Sequence, residues 1–85
     1  MEIEFTDKAY ADLEYWRKTK NERILKRIRE LLASTTDTPF SGIGKPEGLK
    51  YGLSGKWSRR IDTENRIVYE VLKDVILLHS LKGHY

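Results

Sequence analysis

Glu47, Arg60, Arg66 and His84 are the residues of this 85-residue chain whose types suit chemistry on a phosphodiester. Cleaving RNA through its own ribose needs three things. A base takes the proton of the 2′-hydroxyl, a cation stabilises the charge that grows on the phosphorane, and an acid protonates the departing 5′-oxygen. The Glu47 carboxylate suits the base. Arg66 with Arg60 suits the cation, because a guanidinium fork makes bidentate hydrogen bonds to phosphate and stays charged at any working pH. An imidazole, with an ordinary pKa of about 6.5 that rises beside an anionic phosphate, makes His84 suited to the acid. Tyr85 beside it offers a ring and a phenol for stacking on or bonding to a nucleotide. The same four residues also fit plainer roles, with Glu47 in a surface ion pair, the arginines on a solvated face and His84 a frayed terminal residue. His79 differs, because it sits in the apolar run Val75-Ile76-Leu77-Leu78-His79 and reads as a structural, partly buried histidine.

The charge points to the same part of the chain. Residues 1 to 40 carry eight Lys/Arg and eight Asp/Glu, whereas residues 41 to 85 carry eight and five, so the whole net charge of +3 lies in the second half. There Lys45, Lys50, Lys56, Arg59, Arg60 and Arg66 mix with Tyr51 and Trp57, a blend suited to phosphates and bases, although a solvated basic face would look alike. The chain has no cysteine and only two histidines. That excludes a disulfide framework and a thiolate zinc site and predicts side-chain chemistry without a cofactor. With no apolar run near the roughly 20 residues of a membrane span and no signal-peptide pattern at Met1 to Phe5, the expectation is a cytoplasmic protein without a membrane partner.

These side chains need a frame, and the length fits a single domain over residues 1–85. Met1 to Phe5 alternates as a half-buried strand does. Thr6 is a helix N-cap followed by Ala9, Leu13 and Trp16 at helical spacing to about Lys18, and Asn21 caps a second helix whose stripe is Ile24, Leu25, Ile28, Leu31 and Leu32, running to Ser34. The run Ser34 to Pro39 and the glycines at 42, 44 and 48 predict a long functional loop over 35–48 that holds Lys45 and Glu47. Strands are expected at Leu49 to Leu53, Trp57 to Asp62, Arg66 to Leu72 and Val75 to Leu81, forming an antiparallel meander. A three-residue turn, Thr63-Glu64-Asn65, with a left-handed Asn65 would pair Asp62 with Arg66. Trp57, Ile61, Ile67, Tyr69 and Val71 then face the helices, and Ser58, Arg60, Asp62, Arg66, Val68 and Glu70 face away. Arg59 falls on the apolar side, with its head expected to escape to water at an edge. The fold class is α+β, an N-terminal strand and helical hairpin packed on a mostly antiparallel, twisted sheet.

Several blocks together resemble a known family: Thr38-Pro39-Phe40, Gly44-Lys45-Pro46-Glu47-Gly48-Leu49-Lys50, Leu53-Ser54-Gly55, Trp57-Ser58-Arg59-Arg60-Ile61, Arg66-Ile67-Val68-Tyr69 and His84-Tyr85. They look like the YoeB/Txe toxins of the RelE superfamily, and Tyr10, Asp12, Leu13, Tyr15 and Trp16 extend the likeness to the first helix. The resemblance implies a RelE-like, microbial-ribonuclease-like fold and an endoribonuclease that enters the ribosomal A site and cleaves the mRNA there, against ribosomal RNA. It implies Glu47 as general base, Arg66 as transition-state cation and His84 as general acid, with Lys50, Arg60 and Tyr85 in support and Lys45 beside them on phosphate. It also implies a YefM/Phd-type antitoxin, a homodimer, and operator DNA contacted only through the antitoxin complex. Gly83 stands where the family resemblance leads one to expect a bulkier residue. Two other readings remain open: a non-catalytic RNA- or ribosome-binding module, and DNA binding through the basic helix from Asn21 to Ser34, against which no helix-turn-helix pattern is evident.

Overall fold

The computed structural model describes residues 1–53 and 55–83. Strand β1 (Glu2–Phe5) leads into helices α1 (Asp7–Lys18) and α2 (Glu22–Asp37), followed by β2 (Glu47–Gly48), β3 (Lys56–Arg60), β4 (Arg66–Leu72) and β5 (Val75–Ser80). The sheet order is β1-β5-β4-β3-β2. Only β1 runs parallel to its neighbour; the other pairs are antiparallel. Among the described residues no helix is long and apolar enough to cross a membrane.

Both helices start where their caps predict. Thr6 Oγ1 accepts from Ala9 N at 3.2 Å and Asn21 Oδ1 from Ile24 N at 3.2 Å, each satisfying a first-turn N–H that has no partner within the helix. The helices lay Ala9, Trp16, Ile24, Ile28 and Leu31 on one sheet face, against Ile67, Tyr69, Ile76 and Leu78. Burial of these side chains, at about 25 cal/mol per Å² of apolar surface, is the main force that holds the layers together.

The second helix runs past Ser34 to Asp37, so the loop is shorter than the composition suggests. Thr35 is fully buried and its hydroxyl donates back to Leu31 O at 2.7 Å, while Thr36 donates to Ala33 O at 2.9 Å. Each hydroxyl thus finds its partner inside the helix rather than breaking it. The helix stops at Thr38, whose extended backbone (φ −136°, ψ 90°) is what a residue before proline adopts. The strand expected at Leu49 to Leu53 is absent. Pairing with β3 starts earlier, at Glu47, and after Leu49 N donates to Lys56 O (2.9 Å) the chain turns away through Tyr51 (φ +61°) into a short 3-10 turn, Tyr51–Leu53.

The β3–β4 register also differs from the expected one. Arg60 pairs with Arg66 and Arg59 with Ile67, leaving five residues, 61–65, in the turn. The reason is Asp62. Its Oδ1 accepts from the backbone N of Glu64 (2.9 Å) and Asn65 (2.7 Å), so Asp62 builds the turn instead of pairing across the ladder. Asn65 is not left-handed; its side chain bonds Asp62 and the chain near Gly83 instead. The slip is two residues, which preserves the two faces, because side chains alternate with period two.

Candidate active site

The face of the sheet away from the helices carries the predicted polar residues. Glu47 lies opposite Ser58, and Ser58 opposite Val68, while Arg60 and Arg66 lie directly opposite each other one step along. Glu47 and Arg60 are exposed and Arg66 is half-buried. Between them Ser58 is fully buried, and its Oγ accepts from Arg66 Nη1 at 3.3 Å. Two strand spacings, about 10 Å, separate the backbones of β2 and β4. Extended side chains of glutamate and arginine reach across such a gap toward one bound group. Like charges placed opposite each other disfavour strand pairing, and an anion between Arg60 and Arg66 reverses that sign. The observed register serves a phosphate better than the expected one, which would have set Arg60 opposite Val68.

The chain that precedes Glu47 packs around Arg59. This side chain does not escape to water: it is 0% exposed. Its Nε donates to Tyr69 Oη (3.1 Å), its Nη1 to Ser34 Oγ (2.9 Å) and Ile43 O (3.1 Å), and its Nη2 to Thr38 O (2.6 Å) and Ser41 O (2.8 Å). A guanidinium has five N–H donors, and every one has an acceptor here. None of these acceptors is a carboxylate. The positive charge is offset by carbonyl dipoles, including that of the C-cap at the negative end of α2. Tyr69 passes the contact on, its hydroxyl donating to Pro39 O at 2.6 Å. Burial raises the Tyr69 pKa above its usual value of 10, although the Arg59 hydrogen bond and charge pull the other way. The loop can lie this close only because Gly44 (φ +83°) lacks a side chain. A Cβ there would meet Leu31 Cδ2 at 2.5 Å and Arg59 Cβ at 3.1 Å.

At the far end of the face, α1 holds the chain as it leaves β5. Asp12, buried, accepts from Leu81 N at 2.9 Å, and Trp16 Nε1 donates to Leu81 O at 2.9 Å. Gly83 is then tied to the β3–β4 turn: its N donates to Asn65 Oδ1 (2.8 Å), and its O accepts from Arg66 N (2.9 Å). The glycine is left-handed, with φ +83°. Its lack of a side chain suits that turn, so here it accompanies a tether beside Arg66. His84 and Tyr85 lie outside the described residues.

Of the sequence-predicted residues, Glu47, Arg60 and Arg66 come together on one face. Lys45 and Lys50 are exposed, in the loop before β2 and just after it. Trp57 packs against Phe40, ring centroids 4.9 Å apart, and is a prop for the loop more than a platform for bases. His79 is half-buried, as its setting predicted, yet it turns to the polar side at a β-bulge near Val68 and Tyr69 and meets Glu70 Oε1 at 3.0 Å. It borders a cleft of about 340 Å³ that Lys8, Lys56, Val68 and Lys82 also line. Sequence reasoning missed Ser58, Asp12 and Arg59 as parts of the site's frame. For Asp12 a signal existed, since an acidic residue three positions after Ala9 and four before Trp16 falls on the buried stripe of α1.

Comparison with known proteins identifies the family and the fold. Residues 5–85 match the family model of the YoeB-like toxin of bacterial type II toxin-antitoxin systems. The YoeB toxin of Escherichia coli K12 is 46% identical over 85 residues, all of both chains. The solved YoeB/ParE toxin from Agrobacterium tumefaciens superimposes with a TM-score of 0.96 at 37% identity over all of both chains. YoeB of Staphylococcus aureus, solved as a dimer, is 41% identical with a TM-score of 0.91, covering all of this chain and 98% of that one; it has also been solved in complex with YefM.

Proposed function

This chain belongs to the YoeB-like toxin family of bacterial type II toxin-antitoxin systems, and from that premise we propose that it is an mRNA endoribonuclease acting in the ribosomal A site by side-chain acid-base catalysis. The observation that carries this reading is the meeting of Glu47, Ser58, Arg60 and Arg66 on one open sheet face. Glu47 takes the proton of a ribose 2′-hydroxyl, whose oxygen attacks the neighbouring phosphorus. Arg66, oriented by Ser58, and Arg60 stabilise the added negative charge on the phosphorane oxygens. As the bond from phosphorus to the 5′-oxygen breaks, that oxygen receives a proton from His84, giving a 2′,3′-cyclic phosphate and a 5′-hydroxyl. The tether of Gly83, the residue before His84, to Asn65 and Arg66 holds the last described residue at the Arg66 end of the face, which supports the role of His84. Lys45, Lys50 and Tyr85 serve the RNA backbone and bases, and ribosomal RNA meets the basic surface around them. The Staphylococcus aureus relative, solved with YefM and as a dimer, supports an antitoxin of that type and a homodimer here.

Primer extension on a translating ribosome programmed with a defined mRNA tests the assignment. The wild-type protein is expected to create a new mRNA 5′ end within the A-site codon. Glu47→Gln and Arg66→Ala should each slow its appearance by about 10²–10⁴-fold with the fold retained. Translational arrest with no new 5′ end would mark a non-catalytic RNA-binding module instead.

A further inference from the structure

We propose that Arg59 is a positioning residue for Glu47, acting from the opposite face of the sheet by fixing the loop that delivers this carboxylate. The inference rests on the nuclease reading of Glu47. Pairing of β2 with β3 is short, only Glu47 with Ser58 and Gly48 with Trp57. Two residue pairs cannot set a side chain to the tolerance that proton transfer needs, so the constraint has to come from the flanking chain. On the C-terminal side, among the described residues, the backbone bond Leu49 N to Lys56 O continues the pairing with β3. On the N-terminal side there is the Arg59 cluster. It grips α2 at Ser34 and the following chain at Thr38, Ser41 and Ile43, while Tyr69 grips Pro39. The backbone next to Arg59 completes the hold, because Arg60 N donates to Gly44 O at 2.7 Å. Beyond Gly44, Lys45 and Pro46 are all that precede Glu47. Lys45 has a positive φ of 53°, and proline fixes its own φ, so the link is stiff.

Residue alternation makes the arrangement directional. Ser58 and Arg60 point to the RNA-facing side and Arg59 between them points to the helices, so one strand supplies two site residues and the anchor of a third. A lysine in place of Arg59 keeps the charge but offers a single ammonium, which cannot reach five acceptors spread from α2 to β4.

The test is a double-mutant cycle read by single-turnover cleavage of end-labelled mRNA on translating ribosomes, with ribosome binding measured alongside. Arg59→Lys should slow cleavage by about 10- to 100-fold while binding changes by less than about twofold. In a Glu47→Gln background the same change should slow the residual cleavage by less than about twofold, because a residue that acts through Glu47 has nothing left to position. An equal loss in both backgrounds, or wild-type cleavage rates in a folded Arg59→Lys protein, overturns the proposal. If Arg59→Lys does not fold, Tyr69→Phe carries the same cycle: it removes the donor to Pro39 and should slow cleavage about threefold, again only when Glu47 is present. A wild-type protein that cleaves no mRNA, or a Glu47→Gln protein that cleaves normally, refutes the nuclease reading itself and with it this inference. Those results differ from failure at Arg59 alone.

Discussion

The two chain segments that border the polar face are held by buried ionisable side chains of opposite sign. Arg59 gathers the loop before Glu47, and its partners are three backbone carbonyls and two hydroxyls. Asp12 gathers the exit from β5, and its partners are the Leu81 N–H, the Ser80 hydroxyl at 3.3 Å and the Lys8 ammonium at 2.6 Å. The signs follow from what each segment exposes. The loop leaving the C-terminal end of α2 turns the Thr38, Ser41 and Ile43 carbonyls toward a donor, whereas at the end of β5 Leu81 turns its N–H toward an acceptor, its carbonyl being taken by Trp16. The two devices differ in weight. Arg59 spends all five donors on groups of a segment that has little secondary structure of its own. Asp12 secures a strand already paired with β1 and β4.

The largest effect that would break this contrast is loss of Arg59. Arg59→Met fills much of the volume but removes all five guanidinium hydrogen bonds. Ile43 O loses its Arg59 donor, while Thr38 O keeps only Ser41 N and Ser41 O only Thr38 Oγ1. The variant should be destabilised by about 3–5 kcal/mol in urea unfolding. Hydrogen exchange at the Arg60 amide, bonded to Gly44 O, should rise in this variant before that at the Arg66 amide, bonded to Gly83 O. Equal acceleration at both would mean that Arg59 stabilises the whole molecule rather than one loop.

Asp12→Ala should invert that pattern at lower cost, about 2 kcal/mol, with exchange rising first at Leu81. Most of the loss belongs to the Leu81 N–H. Lys8 is 58% exposed, and an ion pair with so solvated a partner adds little. A loss as large as that of Arg59→Met would show that the two segments depend equally on their buried charges.

The legibility of these parts differs for the same physical reasons. Helix caps, the apolar stripes and the face assignment of β3 and β4 were readable because they depend on local hydrogen bonds and on period. The end of α2 was not, since Ser34 to Asp37 resembles a breaker until Thr35 is buried and its hydroxyl bonds back to Leu31. Nor was the register, where Asp62 chose the turn over the ladder. Glu47, Arg60 and Arg66 could be picked out by residue type and by the family likeness. Arg59 is visible as an arginine on an apolar face, but its use is hidden, because three of its five acceptors are backbone carbonyls between Thr38 and Ile43, whose path no side-chain pattern encodes. Composition marks the loop as functional without showing what holds it.

Tyr69 offers the finest test of the Arg59 region, because it separates one hydrogen bond from the charge beside it. Tyr69→Phe keeps the ring under the Arg59 guanidinium, which sits 5.7 Å from its centroid, and removes only the hydroxyl. The expected loss at neutral pH is about 1 kcal/mol. The difference between wild type and variant should also depend on pH. Burial raises the folded-state pKa of Tyr69 above 10, while the unfolded chain titrates at about 10. Below about pH 10 both states hold the proton and the contribution of the hydroxyl is complete. Above it the unfolded chain releases the proton first, so stability falls as pH rises toward the folded pKa. Urea unfolding of both proteins between pH 8 and pH 11 should therefore show the wild-type advantage constant at first and then shrinking. An advantage that grew above pH 10 would mean that attraction to Arg59 outweighs burial at this phenol, and that the cluster holds an anion rather than a neutral donor.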